Sequence, residues 1–450
     1  MSVRAKSIAI AFLTMAFLWA NLEAYPHPDG MSNVLLAYRF ITTGTANVGG
    51  FEEVPFGWRN WDRTDGFPDN NRFGPATAVA LAPAVAVAVI AGVRPQDVFV
   101  WGYIDKLVAT LLITVLAVAT YAAARRLAGD GPALVATFAS VAGTSLATVA
   151  GQRTWQHAVG AAAFAIAWLW FIRGRDDERW LARAGLPLAI AIVARYPLAI
   201  VWLVGLGYVA FVRRRQALPY LLWSAGPLIF LTIYNAVAFG SPVENSYGPR
   251  LWQWASLIGL PGSLISPSRG LLVYSPFLIA GLLAIGQRAL RREPLWLFAL
   301  AVFIGMWAVH GTYIGWTGSW SYGNRYLLET VPILAAGFAL AWAGAGERMR
   351  WVLAAALLFA VIVQVAGLLA YYHFFDGFNW DVARMDDADL SGAAMWDPLD
   401  TQWWWTIRSA VTHADFRAAL VLPVTLAFAY FSFRSGLARP TAVAVRSQVA

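Results

Sequence analysis

Asp29 stands in the run Tyr25-Pro26-His27-Pro28-Asp29-Gly30, directly after a first apolar stretch and ahead of an amphipathic one, Met31 to Thr43. That placement puts a carboxylate at a membrane surface, where it can take a proton from an acceptor hydroxyl or orient a metal ion. An aspartate in such a run also serves as a helix cap or turn residue. Further on, Trp58-Arg59-Asn60-Trp61-Asp62-Arg63 and Asp69-Asn70-Asn71-Arg72-Phe73-Gly74-Pro75 set arginines beside amides, a combination suited to phosphate and sugar hydroxyls. Arg72, with Asn71 beside it, abuts the apolar run 75–92, whereas Arg59 and Arg63 read equally well as solvated neighbours of interfacial tryptophans.

Three later segments carry the same kind of chemistry. Gln152-Arg153-Thr154-Trp155-Gln156-His157 is a polar patch between two apolar spans; His157 fits either a hydroxyl- or phosphate-binding cluster or a capping and packing role. Ser266-Pro267-Ser268-Arg269-Gly270 opens a span and offers an anion cradle at a helix start, or a helix-entry turn whose arginine reaches to lipid headgroups. Trp316-Thr317-Gly318-Ser319-Trp320-Ser321-Tyr322-Gly323-Asn324-Arg325-Tyr326 is the most specific run in the chain. Trp320 and Tyr322, spaced by glycines, suit stacking on sugar faces, with Arg325 beside the membrane where a phosphate would lie. A last polar segment holds Asp376, Asp381, Asp386, Asp387, Asp389, Asp397 and Asp400 among tryptophans; it lacks calcium-loop spacing and reads as a solvated cap.

The elements that must position these residues follow from composition. Of 450 residues, 59% are hydrophobic and 13% charged, and the mean hydropathy is +0.57. Long apolar runs recur along almost the whole length, which excludes a single soluble core and predicts an all-α, polytopic transmembrane bundle. The runs are continuous and do not alternate, which disfavours a membrane barrel. Cysteine is absent, so thiol redox chemistry and thiolate metal sites are excluded. The net charge of +8 comes almost wholly from arginine, Lys6 and Lys106 being the only lysines, and it is assigned to membrane orientation and not to nucleic acid.

Arginine clusters at 125–126, 173–183, 213–215, 288–292, 348–350 and 434–439 mark the cytoplasmic side. Their parity predicts about ten crossings, an uncleaved first anchor, cytoplasmic termini, and outer loops at 23–74, 240–273, 313–326 and 373–415 within one membrane domain, 1–440, followed by a tail, 441–450. Parity fails at two places. The run 75–92 cannot cross and must be re-entrant or interfacial, and 184–212 must be two half-helices meeting at Arg195-Tyr196-Pro197. Irregular backbone at such depth needs cover from protein or a water-filled cavity, so both interruptions point to an internal site. No internal repeat and no Walker-type loop are visible.

Together these motifs resemble the GT-C superfamily of integral-membrane glycosyltransferases, near the protein O-mannosyltransferase and aminoarabinose-transferase type, from the first span to about Tyr326. By that resemblance Asp29 matches the first-loop acidic residue, 71–75 the proline-containing segment that follows, and Arg195-Tyr196-Pro197 an internal Arg-Pro break. Tyr234-Asn235, Phe239-Gly240-Ser241-Pro242, the Arg269 turn and Trp320 to Tyr326 resemble a bacterial branch. The resemblance implies a bacterial inner-membrane enzyme with Asp29 as catalytic residue and Asn71, Arg72, Arg269, Trp320, Tyr322 and Arg325 binding substrate, to which the polar patch at 152–157 adds His157. It implies an inverting transfer of a hexose or pentose from a polyprenyl-phosphate sugar to a glycan, lipid or protein acceptor, with no required cofactor beyond a possible divalent metal. The paired acidic motif of the mannosyltransferases is Asp29-Gly30 here, leaving the second acidic role to Glu23, Glu52 or Glu53, or unfilled. A transporter or flippase of an anionic lipid, and a non-catalytic scaffold, are the alternatives.

Overall fold

The computed structural model describes residues 1–24, 27–51, 54, 71, 73–243, 257–318, 320–371, 380 and 393–436. Among them the chain is helical throughout, because in lipid a helix satisfies its own backbone groups. The order is α1 (Val3–Trp19), α2 (Pro28–Thr42), α3 (Ala76–Ile90), α4 (Val98–Ala128), α5 (Asp130–Ala142), α6 (Gln156–Arg173), α7 (Arg179–Arg183), α8 (Gly185–Ala194) and α9 (Ala199–Val212). It continues with α10 (Ala217–Phe239), α11 (Gly259–Ile265), α12 (Leu271–Tyr274), α13 (Leu278–Leu290), α14 (Pro294–Gly311), α15 (Val331–Gly344), α16 (Glu347–Ala366), α17 (Gln402–Thr412) and α18 (Ala418–Gly436). Four helical stretches, Val98–Ala128, Arg214–Phe239, Pro294–Gly311 and Glu347–Tyr371, are long and apolar enough to span a bilayer alone. The protein is a polytopic helical membrane protein, as its composition requires. At the centre α4, α5, α6 and α15 pack through small side chains such as Ala117, Ala136, Ala162 and Ala336, which let helix backbones approach closely.

Polar pairs show which helix ends lie together. Lys6 on α1 binds Asp130, just beyond α4, and the Tyr121 hydroxyl donates to the same carboxylate. Arg126 pairs with Asp176 at 3.1 Å, and Arg213 with Glu178 at 3.3 Å. These residues, in or beside the arginine-rich connections, mark one end of the bundle. At the opposite end Lys106 donates to Asn21 Oδ1 at 2.6 Å and to the Glu23 carbonyl. Glu23 in turn pairs with Arg417, ahead of α18. The carboxy-terminal end of α1 and the amino-terminal end of α4 therefore sit at one level.

That level explains the two interruptions. Ala76 of α3 belongs to a buried cluster with Val193 and Ala194, while just past the helix the Arg94 carbonyl accepts from the Trp101 indole at 2.9 Å. Both ends of α3 thus meet residues near the Lys106 end, and its flank packs along amphipathic α2. The second interruption is a hairpin: α8 rises from the arginine-rich end, Arg195 is extended at φ −154° and ψ 108°, and α9 returns to Arg213 beside Glu178. Proline at 197 opens a short 3-10 turn at Tyr196–Leu198, where it forfeits no helical hydrogen bond.

If α3 does not cross, single cysteines at 47 and at 96 in this cysteine-free chain should both react with a membrane-impermeant maleimide added to intact cells. Labelling of position 96 only after the membrane is opened would place α3 across the bilayer.

Candidate active site

The polar residues converge at the Lys106 end, beginning with the first turn of α2. His27 is its N-cap, with extended backbone and with Nδ1 accepting from the Asp29 N–H at 3.2 Å. Pro28 then occupies the first helical position, which asks for no N–H donor. Because His27 does the capping, the Asp29 side chain is directed elsewhere: its Oδ2 lies 3.4 Å from Nη1 of Arg325. Asn33, one turn on, donates to the Asp29 carbonyl at 3.1 Å and to the Thr154 carbonyl at 3.3 Å, tying α2 to the start of α6.

Arg325 is stacked as well as paired. Its guanidinium lies 4.5 Å from the ring centre of Trp155 and 5.2 Å from that of Tyr326, and Nη2 donates to the Tyr326 hydroxyl at 3.4 Å. Trp155 in turn meets the His27 imidazole, centroids 4.9 Å apart. Burial works against the Arg325 charge, but Tyr326 and Asp29 outweigh it, so the guanidinium holds its proton more tightly than usual. Burial lowers His27 from 6.5 to about 3, with Arg153 and Arg325 pushing the same way and Asp29 opposing. His27 is therefore neutral at physiological pH, and the Asp29 N–H bond to Nδ1 leaves the ring proton on Nε2.

Beneath this surface lies a buried ion cluster. Glu329 Oε1 accepts from Arg195 Nη1 at 2.8 Å and pairs with His157 Nδ1 at 3.0 Å; all three side chains are at most 3% exposed. The other guanidinium nitrogen, Nη2 of Arg195, lies 3.5 Å from His310 Nδ1, and His310 stacks on Tyr326 with centroids 5.2 Å apart. Beside it, Asp105 on α4 accepts from the Thr154 N–H at 2.9 Å and from the Thr154 hydroxyl. Gly30 leaves room for that carboxylate, since a Cβ there would sit 2.3 Å from Asp105 Oδ2.

The structure thus brings together Asp29, Arg325 and, one layer down, His157. His157 faces Glu329 and has almost no exposed surface. Asn71 is fully buried, donating to Asn33 Oδ1 at 3.1 Å and capping Phe73 N–H, so it braces the 71–75 segment against α2. Tyr322 is also fully buried, its hydroxyl donating to the Val363 carbonyl at 3.0 Å, while Trp320 is half-buried on the same loop. Arg269 reaches Gln402 Oε1 at 3.1 Å and stands over Trp380, so it joins the Arg325 loop through Gln402. Arg59, Arg63 and Arg72 lie outside the described residues, as do Glu52 and Glu53. Glu23, the remaining candidate for a second acidic role, is spent on Arg417.

Asp105 and Glu329 were missed from sequence, although both carried a signal. A charge inside an apolar span is costly enough to mark a site, and Asp105-Lys106 sits within α4 while Glu329 opens the apolar run of α15. Among the described residues no three His, Asp or Glu side chains form a group that would hold a metal ion.

No protein-family model matches the chain, and neither does any curated protein. Solved structures do. ArnT from Cupriavidus metallidurans bound to undecaprenyl phosphate superposes with a TM-score of 0.53 at 13% identity, over 96% of this chain and 75% of that one. The apo form of the same protein gives 0.51 at 13% identity over the same shares. An Archaeoglobus fulgidus oligosaccharyltransferase complexed with zinc and sulfate gives 0.51 at 14% identity, over 82% of this chain and 52% of that one, so the chain spans about half its length. At such identities the likeness is one of fold: the chain shares the helical membrane fold of these two proteins.

Two outcomes follow from the buried geometry. Selective ¹⁵N labelling of histidine should show His27 neutral from pH 8 to pH 5, and a midpoint near 6.5 would mean the pocket is open to water. Between pH 6.5 and about 3 the unfolded chain takes up this proton and the folded one does not, so acidification through that window works against folding. Glu329→Ala, which strands Arg195 in the bundle, should lower stability by about 3–5 kcal/mol in denaturant titrations, and the paired Glu329→Leu/Arg195→Met change should recover most of it.

Proposed function

We propose that the protein is a membrane glycosyltransferase that moves a sugar from a polyprenyl-phosphate carrier to an acceptor hydroxyl on the outer face of a bacterial inner membrane. The observation that carries this reading is the Asp29–Arg325 pair, a carboxylate and a stacked guanidinium at one end of a GT-C-type bundle. Undecaprenyl phosphate bound to a structure of the same fold supports the choice of carrier. The side is assigned by the arginine-rich connections at the opposite end, which by the positive-inside rule are cytoplasmic. Both termini then lie in the cytoplasm, and 23–74, 240–273, 313–326 and 373–415 are outer segments of one membrane domain.

In the proposed reaction Arg325 takes one phosphate oxygen of the donor, with Arg153 at the same end of the bundle adding positive charge. Asp29, released from its arginine, becomes a stronger base. The acceptor oxygen attacks the anomeric carbon as its proton passes to the Asp29 carboxylate. The bond from that carbon to the phosphate oxygen breaks, and its electron pair leaves on polyprenyl phosphate. A single displacement inverts the anomeric centre. Neutral His27 and Trp155 hold the guanidinium and the first turn of α2 in place without adding a charge that would compete for phosphate.

Asp29→Asn keeps the shape and removes the base, so turnover of a polyprenyl-phosphate sugar should fall by about 10²–10⁴-fold. Donor binding should be no weaker, because the substitution also removes the competitor for Arg325. Arg325→Ala should weaken donor binding more than Arg325→Lys does. Wild-type turnover in the Asn variant would rule Asp29 out as the base.

A further inference from the structure

We infer that Gln402 is a positioning residue for donor binding: its carboxamide grips the backbone on both sides of Tyr322 and thereby aims Arg325. The inference rests on the reading of Arg325 as the cation that receives the donor phosphate.

Gln402 opens α17 and is fully buried. Its Nε2 donates to the Ser321 carbonyl at 3.0 Å, and its Oε1 accepts from the Gly323 N–H at 2.9 Å. The same Oε1 accepts from the Tyr274 hydroxyl at 2.7 Å and from Arg269 Nη1 at 3.1 Å. Its backbone N–H donates to Ser268 Oγ at 3.2 Å. One side chain therefore joins the 266–270 turn, α12 and the Arg325 loop. With three donors sharing its oxygen and the Ser321 carbonyl on its nitrogen, the carboxamide is held at both ends.

The loop has little room to answer a disturbance here. Gly323 has φ +71°, and a Cβ on it would sit 2.8 Å from Ser145 Oγ. Asn324 is held on the other side, donating to the Ser263 carbonyl at 3.0 Å and accepting from the Leu327 N–H at 3.1 Å. With 321, 323 and 324 fixed, the direction of the Arg325 side chain toward Asp29 and Trp155 follows. Only a carboxamide offers a donor and an acceptor at this spacing; a carboxylate faces the Ser321 carbonyl with repulsion, and an aliphatic chain makes none of these four bonds. The anchor on the far side is α17, whose Thr401 cap accepts from Trp404 N–H at 3.3 Å and whose Thr406 and Ser409 face inward.

The test titrates undecaprenyl phosphate into the purified full-length protein in detergent and reads affinity by tryptophan fluorescence. Wild type should bind, and Arg325→Lys should weaken binding; if wild type does not bind, or the Lys variant binds as well, the functional reading falls and this inference with it. With that arm in place, Gln402→Glu and Gln402→Leu should each weaken binding by about tenfold, the scale of a mispaired buried hydrogen bond. In an Arg325→Lys background Gln402→Glu should add less than about twofold, because a residue acting through Arg325 is not additive with it. Wild-type affinity in both Gln402 variants overturns the inference, and so does a full additive loss in the Lys background, which would mean general disruption. If the Leu variant does not fold, the Glu variant decides alone.

Discussion

The Glu329 carboxylate, shared by Arg195 and His157, is the interaction on which the arrangement of the site end depends. Removed from water, the Glu329 and Arg195 charges would each carry a penalty of several kcal/mol, and each is tolerable only while the other stays in reach. Four segments are bound by that requirement: the turn of the α8–α9 hairpin, the first turn of α6, the last turn of α14 through His310, and the start of α15. Arg195 also donates to the Tyr326 carbonyl at 3.4 Å and stands over its ring, so the residue next to Arg325 is fixed from below. The chemistry at the surface inherits its geometry from this layer.

The two ends of the bundle use charge in opposite ways. At the arginine-rich end the pairs Arg126–Asp176 and Arg213–Glu178 are largely exposed, and such pairs contribute little stability. At the other end, among the described residues, Asp105 with Thr154 and Lys106 with Asn21 are buried and hydrogen-bonded. Polar groups are retained there at an energetic penalty that an apolar repacking would avoid, and under the proposed function a ligand of matching polarity is the reason to keep them.

Much of this was legible in the sequence because hydropathy and arginine distribution act locally. The helical bundle and the hairpin turn at Arg195 both follow from residues next to one another. Asp29 and Arg325 were legible by type, since each sits in a polar run flanking an apolar one. The direction of a side chain was not. His157 and Tyr322 share their runs with Trp155 and Arg325 but point inward, and only tertiary packing decides which face of a short loop is covered. Gln402 was invisible for another reason. It is an uncharged residue in an aspartate- and tryptophan-rich segment, and its partners at 323, 321, 274 and 269 lie 79 to 133 positions away.

Two arginine–carboxylate pairs a few residues apart make the contrast that the proposed reaction needs. Arg195 and Glu329 meet at 2.8 Å with side chains 3% and 1% exposed, while Arg325 and Asp29 meet at 3.4 Å with side chains 15% and 17% exposed. A charge-assisted bond of good geometry is nearer 2.7–2.9 Å, so the first pair is closed and the second is loose. Separating the first would strand two charges in an apolar interior. Separating the second leaves Arg325 still stacked between Trp155 and Tyr326, and leaves Asp29 at a helix start where the backbone dipole favours a carboxylate. An entering phosphate can therefore displace Asp29 from the arginine without stranding either group. The rigid pair holds the frame, and in the proposed reaction the exchangeable pair beside it couples arrival of the leaving group to release of the base.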